Sequence, residues 1–128
     1  MTKEEKQLLL KDLCARLPYG VKVNFRNKIE VLCEVHIYQS VQTVVGESGN
    51  LYDADMPNVK PYLRPMSSMT EDEQQKYYDL THQEEDDIWG KCLFDKMVDF
   101  CNENHLDYRG LIEKGLALAA PENMYKED

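Results

Sequence analysis

Two cysteine–histidine pairs in the sequence have the spacing of half a metal site. Cys33 and His36 are three residues apart, and Cys101 and His105 are four apart. Thiolate and imidazole are preferred ligands of zinc, but a structural zinc needs a second such pair. The first pair falls in an alternating segment, where a strand would point its two side chains to opposite faces. The second pair could share a helix face without further ligands, so the sequence predicts no metal and no cofactor.

The sequence contains no assembled motif for nucleophilic catalysis. None of the serines at positions 40, 48, 67 and 68 lies in a GxSxG context, and the chain has neither a Walker loop nor a GxGxxG motif. Cys33 is expected on the apolar face of a strand, where thiols are usually inert. His36 is expected in solvent on the other face, beside Glu30 and Glu34. We therefore expect a protein that is not an enzyme.

The cysteines are predicted to be free, buried thiols. They lie far apart, no CxxC pair occurs, and the four are Cys14, Cys33, Cys92 and Cys101. The N-terminus has acids before a short apolar run and no small-residue cleavage site, so no signal peptide is predicted. Disulfides are rare in chains that are not secreted. The expected location is cytoplasmic.

Acidic residues are concentrated in one short segment. Between positions 70 and 87 there are eight acids and one base, a net −7 within a chain of net charge −9. Acids are favoured in the first turn of a helix, so solvated helix starts are one interpretation, and the calcium-loop pattern is missing. The other interpretation is an acidic surface that meets a basic partner. The candidate contact residues of this surface are Glu84, Glu85, Asp86 and Asp87.

A basic patch on the sheet is the alternative binding surface. The polar positions of the first hairpin include Lys22, Arg26 and Lys28, and small sheets do bind nucleic acid on such faces. Glu30 and Glu34 interrupt the patch, and the acidic net charge disfavours general DNA binding. Nucleic acid therefore stays an alternative partner, behind another protein.

The stretch KPYLRPMSSMT, residues 60–70, lies near the middle of the chain. Its two prolines disfavour both a long strand and a helix, and its apolar side chains can hold an extended segment against the core. We expect it to carry the chain from a sheet to a group of helices. Tyr62 and Arg64 are its candidate interaction residues, because binding residues concentrate in loops.

Capping boxes mark two helix starts. Thr2 and Glu5 have the spacing in which each side chain satisfies a backbone amide of the other residue, which predicts a helix over 3–16. Thr70 opens the same pattern and predicts a helix over 71–80. Two further helices are predicted. The first, over 84–103, has an apolar stripe of Trp89, Leu93, Met97 and Phe100, and the second covers 108–119 in spite of two glycines.

Between the first and second predicted helices the hydrophobic period changes to two, which is typical of strands. Two strands joined at Asn27-Lys28 form the expected hairpin, and further short strands are predicted over 41–45, 51–52 and 59–63. The residues assigned to the apolar face are Val21, Val23, Phe25, Ile29, Val31, Cys33, Val35 and Ile37.

These elements predict an α+β fold in a single domain, 1–128. An N-terminal helix (1–17) is followed by a small antiparallel β-meander (20–65), with a barrel-like sheet as a variant, and then by a helical part (70–120). No apolar run approaches eighteen residues, so no membrane span is expected. The oligomeric state is not predicted.

Two phrases in the second half of the chain carry a resemblance. KPYLRPMSSMTEDE and DYRGLIEKGLALAAPENMY are similar to a group of small proteins, without assigned activity, from gut anaerobic bacteria and their phages and mobile elements. The resemblance covers roughly residues 59–125. It implies a small accessory protein of phage or prophage type and maps no catalytic residue. We therefore predict a non-enzymatic protein-interaction or accessory factor, with a nucleic-acid-binding module as the alternative.

Overall fold

The computed structural model describes residues 2–25, 28–38, 41–49, 51–53, 59–81 and 90–125, with the backbone alone at 37–38, 41–43, 51–53 and 90–94. The predicted α+β class is confirmed. An N-terminal helix precedes a mixed sheet, and further helices follow it.

The first helix, α1, runs from Lys3 to Arg16 and begins at the predicted capping box. The Glu5 amide donates to the Thr2 hydroxyl at 3.1 Å, and the Thr2 amide donates to the Glu5 carboxylate at 2.9 Å. A short 3₁₀ turn follows, and Gly20 ends it with a φ of 68°. This left-handed conformation favours glycine.

The described strands are β1 (Lys22–Phe25), β2 (Lys28–Tyr38), β3 (Val41–Gly46), β4 (Leu51–Asp53), β5 (Lys60–Leu63) and β6 (Leu118–Ala119). They form one open sheet in the order β4-β3-β2-β1-β5-β6. Strands β1, β2 and β3 each pair antiparallel with the next strand along the chain, and β5 pairs antiparallel with β1. Strand β6 pairs parallel with β5. The barrel-like variant is not supported. Positions 26 and 27, which connect β1 to β2, lie outside the described residues.

The core face predicted for β2 is wrong over its first half. Glu30 and Leu32 are buried, whereas Ile29 is 52% exposed. The reason is the pairing with β1, because Glu30 lies opposite the buried Val23. Burial of the carboxylate is tolerated because the Ser48 amide donates to it at 2.9 Å.

A register shift in β2 restores the predicted face further along the strand. The shift lies between Leu32 and Glu34, and Val35 packs against the core as expected. Cys33 sits within the shift and is exposed, so its assignment to the apolar face is also wrong. Such an irregularity adds one residue to a strand and changes which face the next residues occupy.

The helical part contains α2 (Glu71–Thr81) and α3 (Gly90–Glu103). The prediction for α2 is confirmed, and α3 matches the predicted 84–103 helix from residue 90 onward, while residues 84–89 lie outside the described part. The helix predicted over 108–119 is wrong. The chain instead makes a series of turns and ends them in β6, and Gly110 and Gly115 adopt left-handed φ angles of 72° and 74°.

The core has two clusters of buried side chains. The larger lies between α1, the inner face of the sheet and the turns after Tyr108, and it includes Leu13, Val23, Phe25 and Leu111. The smaller lies between α2 and α3 around Phe100, Cys101 and Leu106. None of the described helices is both long and apolar enough to cross a membrane.

Candidate functional site

A cleft opens where the end of β5 meets the start of α2, the end of α3 and the last described turn. It consists of two adjoining cavities of about 410 and 400 Å³ that share Arg64, Asn104 and Tyr125. We call it the Arg64–Tyr125 cleft. Its other lining residues are Tyr19, Ser68, Thr70, Glu73, Glu103, His105, Ala120, Pro121 and Glu122.

Arg64 holds one wall of the cleft through internal partners. Its guanidinium donates to both carboxylate oxygens of Glu73, at 2.7 and 2.8 Å, and to the carbonyls of Ser68 and Asn104. These bonds lower the pKa of Glu73 to about 2 and raise the pKa of Arg64. Glu73 also accepts from the Thr70 amide, which completes the second capping box. Arg64, a candidate contact residue, therefore fixes the shape of the cleft as one half of a neutral ion pair.

Tyr125 closes the other wall by inserting its hydroxyl into the sheet. The Lys22 amide donates to this hydroxyl at 2.8 Å, and the hydroxyl donates to the Tyr62 carbonyl at 2.6 Å. The last paired residues of β1 and β5 are Val23 and Pro61, and proline has no amide to continue the ladder. The Tyr125 hydroxyl therefore bridges the two strands one residue beyond their pairing. Burial raises its pKa to about 12, so it remains a donor.

His105 forms part of the cleft floor and stacks on the Tyr125 ring, with ring centres 3.7 Å apart. Its backbone φ of 60° is left-handed, and its carbonyl accepts from the Arg64 amide at 2.7 Å. Burial, together with the charges of Arg16, Arg64 and Lys22, lowers its pKa to about 4. The imidazole is therefore neutral at pH 7.

The cysteine–histidine pairs do not form a reactive site within the described residues. Burial raises the pKa of Cys101 to about 11, so Cys101 is a neutral thiol, and the lowered pKa of His105 keeps that imidazole neutral. His36 is exposed beside Glu34, as predicted, with 3.4 Å between its Nε2 and the carboxylate, whereas Glu30, expected on the same solvated face, is buried. No group of three or more His, Cys, Asp or Glu residues that could hold a metal ion occurs in the described part of the chain.

The prediction of buried thiols holds for Cys101 and is wrong for Cys14 and Cys33, which are exposed. Cys14 lies next to the buried Leu13 but on the outer side of α1. Cys33 is displaced by the register shift in β2, and its thiol donates to the Val31 carbonyl at 3.6 Å. The side chain of Cys92 lies outside the described residues.

Of the basic patch proposed for nucleic acid, the two described lysines lie on opposite faces of the sheet. The Lys22 ammonium donates to the Met124 carbonyl at 2.8 Å and lies over the Tyr125 ring. Lys28 is exposed, but it pairs with the buried Phe25, whereas Lys22 pairs with Val31 on the opposite face. Arg26 lies outside the described residues.

The structure describes only some of the acidic residues at the two predicted helix starts. Glu84, Glu85, Asp86 and Asp87 lie outside the described residues. Glu71 and Asp72 are exposed at the start of α2, and Glu103 and Glu122 are exposed at the edge of the cleft. The latter two were not identified from the sequence, because each is isolated from the acidic runs.

A buried polar cluster below the cleft was also missed. It is centred on Asp12 and Arg16, both fully buried in α1, and we call it the polar centre. Its other members are Asn102, His105, Tyr108 and Arg109. The signal in the sequence was an acid and a base four residues apart, Asp12 and Arg16, on the same face of α1 as Leu9 and Leu13.

The sequence matches no family model, and neither a curated protein nor a solved structure is significantly similar to it. The fold and the cleft are therefore interpreted from their own geometry and chemistry.

Proposed function

We propose that the protein is a non-enzymatic interaction factor that binds a basic segment of a partner protein at the Arg64–Tyr125 cleft. The observation that carries this proposal is the charge of the cleft lining. One arginine and three carboxylates line it, which leaves a net charge of −2 beside a neutral histidine. The resemblance to accessory proteins of phages and mobile elements agrees with such a role.

The charges are arranged so that the outer ones remain available to a ligand. Glu73 is neutralised by Arg64 at 2.7 Å, whereas Glu103 and Glu122 are exposed at the cleft edge. The Tyr19 ring contributes aromatic surface, and a lysine or arginine side chain is attracted to both carboxylates and aromatic faces. Glu71 and Asp72 extend the negative surface along the start of α2, which would speed the approach of a basic partner.

The titratable groups inside the cleft are each held in one protonation state, by internal hydrogen bonds or by burial. Glu73 is held ionised by two bonds from Arg64, and Tyr125 is held as a hydrogen-bond donor by burial. A general acid or base works best with a pKa near the operating pH, and the pKa values of about 2 for Glu73 and about 4 for His105 lie well below neutrality. This supports recognition rather than catalysis.

Binding of a short fluorescein-labelled lysine-rich peptide, measured by fluorescence anisotropy at low salt, tests the proposal. We expect Glu103→Gln with Glu122→Gln to weaken binding about fivefold, because each lost carboxylate removes an attraction of up to about 1 kcal/mol. The matched control is Asp95→Asn with Glu113→Gln, which removes two exposed acids that do not line the cleft.

The control double variant should change the affinity less than twofold, and a glutamate-rich peptide should not bind. Equal losses in the two double variants, or no binding of the lysine-rich peptide, would contradict the cleft as the site. Affinity purification from cells with mass spectrometry then identifies the natural partner. The nucleic-acid alternative remains a prediction, and a labelled single-stranded RNA in the same assay tests it.

A further inference from the structure

The two cavities of the Arg64–Tyr125 cleft have different linings. Besides the three residues that both share, the cavity of about 400 Å³ is lined by Tyr19, Glu103 and His105, and we call it the Tyr19 half. The cavity of about 410 Å³ is the Pro121 half, and its own lining residues are Ser68, Thr70, Glu73, Ala120, Pro121 and Glu122. A partner segment that enters the cleft therefore meets unlike surroundings in two neighbouring places.

The Tyr19 half contains a carboxylate whose charge no described ion pair balances. Glu103 is exposed and forms no ion pair with any residue that the structure describes. It is the last residue of α3, whose final turn carries no basic side chain. A helix ends in a partial negative charge that attracts cations. The carboxylate and the end of the helix therefore attract a cation to the same place.

The protein's own cationic groups near the floor of this half are already bound. Besides burial, which has the largest effect, three positive charges lower the pKa of His105, and they belong to Arg64, Arg16 and Lys22. Each arginine is paired with a carboxylate, at 2.7 and 2.9 Å, and the lysine ammonium donates to a backbone carbonyl. The position left for the cation of a ligand is the rim of the cavity, beside Glu103.

The 3₁₀ turn after α1 positions the aromatic ring at this rim. The turn runs from Leu17 to Tyr19, with Pro18 inside it and the left-handed Gly20 directly after it. Proline has a fixed φ, so the backbone that carries the tyrosine has little freedom. The Tyr19 side chain is half-buried and lines the cavity. A surface on which a flat group can stack is thus in place before a partner binds.

We propose that the Tyr19 half binds one arginine side chain of the partner and prefers it to lysine. The inference rests on the proposed function, because it names the residue of the basic segment that the cleft recognises. A guanidinium is planar, so it can lie on an aromatic ring while its N–H groups donate to a carboxylate. Tyr19 and Glu103 supply that ring and that carboxylate. A lysine ammonium is attracted to the same carboxylate but cannot stack in this way.

The Pro121 half contributes less to the recognition of a cation. Its outer carboxylate, Glu122, lies in an exposed turn between the exposed Pro121 and Asn123, where solvent screens its charge. This cavity is lined neither by a residue of α3 nor by Tyr19. The partner residue next to the arginine lies against Ala120 and Pro121 and needs no charge of its own.

Two fluorescein-labelled peptides of equal length, one arginine-rich and one lysine-rich, test the proposal by fluorescence anisotropy at low salt. We expect the arginine-rich peptide to bind the unmodified chain about threefold more tightly, because stacking on an exposed ring adds a small attraction. Tyr19→Leu should remove this preference. Tyr19→Phe is the matched control, because it keeps the ring and should keep the preference. Circular dichroism verifies that both variants fold.

The two outer glutamates give a second comparison in the same assay. Glu103→Gln alone should weaken binding of the arginine-rich peptide about fourfold, which is most of the loss expected for the double variant. Glu122→Gln alone should weaken it less than about 1.5-fold. Both side chains are exposed, so neither change should disturb the fold. This comparison therefore decides the proposal even if Tyr19→Leu does not fold.

Equal affinity for the two peptides overturns the proposal, and so does an arginine preference that survives Tyr19→Leu. A larger loss in Glu122→Gln than in Glu103→Gln also overturns it. Each of these results leaves the proposed function standing. Failure of the proposed function gives a different pattern, in which neither peptide binds or the control double variant loses as much affinity as the cleft double variant, and the inference then fails with it.

Discussion

The Arg16–Asp12 pair and the Arg64–Glu73 pair each fasten a helix to the segment that follows α3, and they do so in different ways. Arg16 and Asp12 are both fully buried, and one guanidinium nitrogen has no hydrogen-bond partner in the part of the chain that the structure describes. Arg64 and Glu73 are 21% and 17% exposed, and Arg64 makes two bonds to the carboxylate and two to carbonyls. The stability of the buried pair depends on each of its hydrogen-bond partners, because bulk water cannot take the place of a partner that is lost. The cleft pair is better matched but contributes less to stability, because solvent screens it.

Loss of the buried carboxylate should have the largest effect. Asp12→Leu leaves Arg16 buried without its counter-charge, and we expect the free energy of unfolding to fall by about 3 to 5 kcal/mol. Chemical denaturation followed by circular dichroism measures this. Adding Arg16→Met in the same chain should recover much of the loss, and a double variant as unstable as the single one would contradict the pairing.

Tyr125→Phe should have the next largest effect, because it removes the bridge between β1 and β5. The Lys22 amide and the Tyr62 carbonyl each lose a hydrogen bond of 2.8 and 2.6 Å respectively. We expect a loss of about 2 kcal/mol, measured by denaturation. Hydrogen exchange should become faster at the Lys22 amide, while the amides within α1 serve as an internal control.

His105, which belongs to both the polar centre and the cleft, should make the stability of the protein depend on pH. Its pKa is lowered to about 4 in the folded protein from an ordinary value of 6.5, so the unfolded chain binds the proton more readily. The part of the free energy of unfolding that depends on the neutral His105 imidazole is present in full above pH 6.5 and is lost as the pH falls towards 4. Because the His105 side chain is partly accessible to solvent, we expect the free energy of unfolding to fall by only about 1 to 2 kcal/mol over this pH range. His105→Asn, which tolerates the left-handed backbone, should show a flatter stability profile between pH 6.5 and 5.

Glu73→Gln should have the smallest effect at pH 7 and isolates the cleft pair. Because its pKa is lowered to about 2 from 4.5, the stabilisation by the Glu73 carboxylate is present above pH 4.5 and is lost as the pH falls through about 2. We expect a difference of about 1 kcal/mol between the two chains at pH 7, discounted for screening. The difference should narrow below pH 4.5, and a constant difference would contradict the role of the charge.

Local signals in the sequence were sufficient for the helix starts. The capping boxes at Thr2 and Thr70 depend on residues three positions apart, and both form as predicted. The faces of β2 could not be read in this way, because the pairing with β1 and the register shift before Glu34 decide them. The turns at Gly110 and Gly115 were read as helix, although each glycine was a local signal against it.

The candidate site was predictable only in part, because contacts between residues that are distant in the sequence assemble it. Arg64 lines the cleft, whereas Tyr62 is not among its lining residues, and Asn104 and Tyr125 reach the cleft from distant parts of the chain. Asp12 and Arg16 were overlooked because charged residues on a helix are usually solvated. Their position on the apolar face of α1 indicated burial, and only the carbonyl of Leu106 and the side chain of Arg109 explain how it is tolerated.

The hydroxyl that joins β1 to β5 belongs to a residue 103 positions after Lys22. During synthesis on the ribosome, both strands emerge long before the tyrosine that joins them. The Lys22 amide and the Tyr62 carbonyl therefore gain this shared partner only after translation has passed Tyr125.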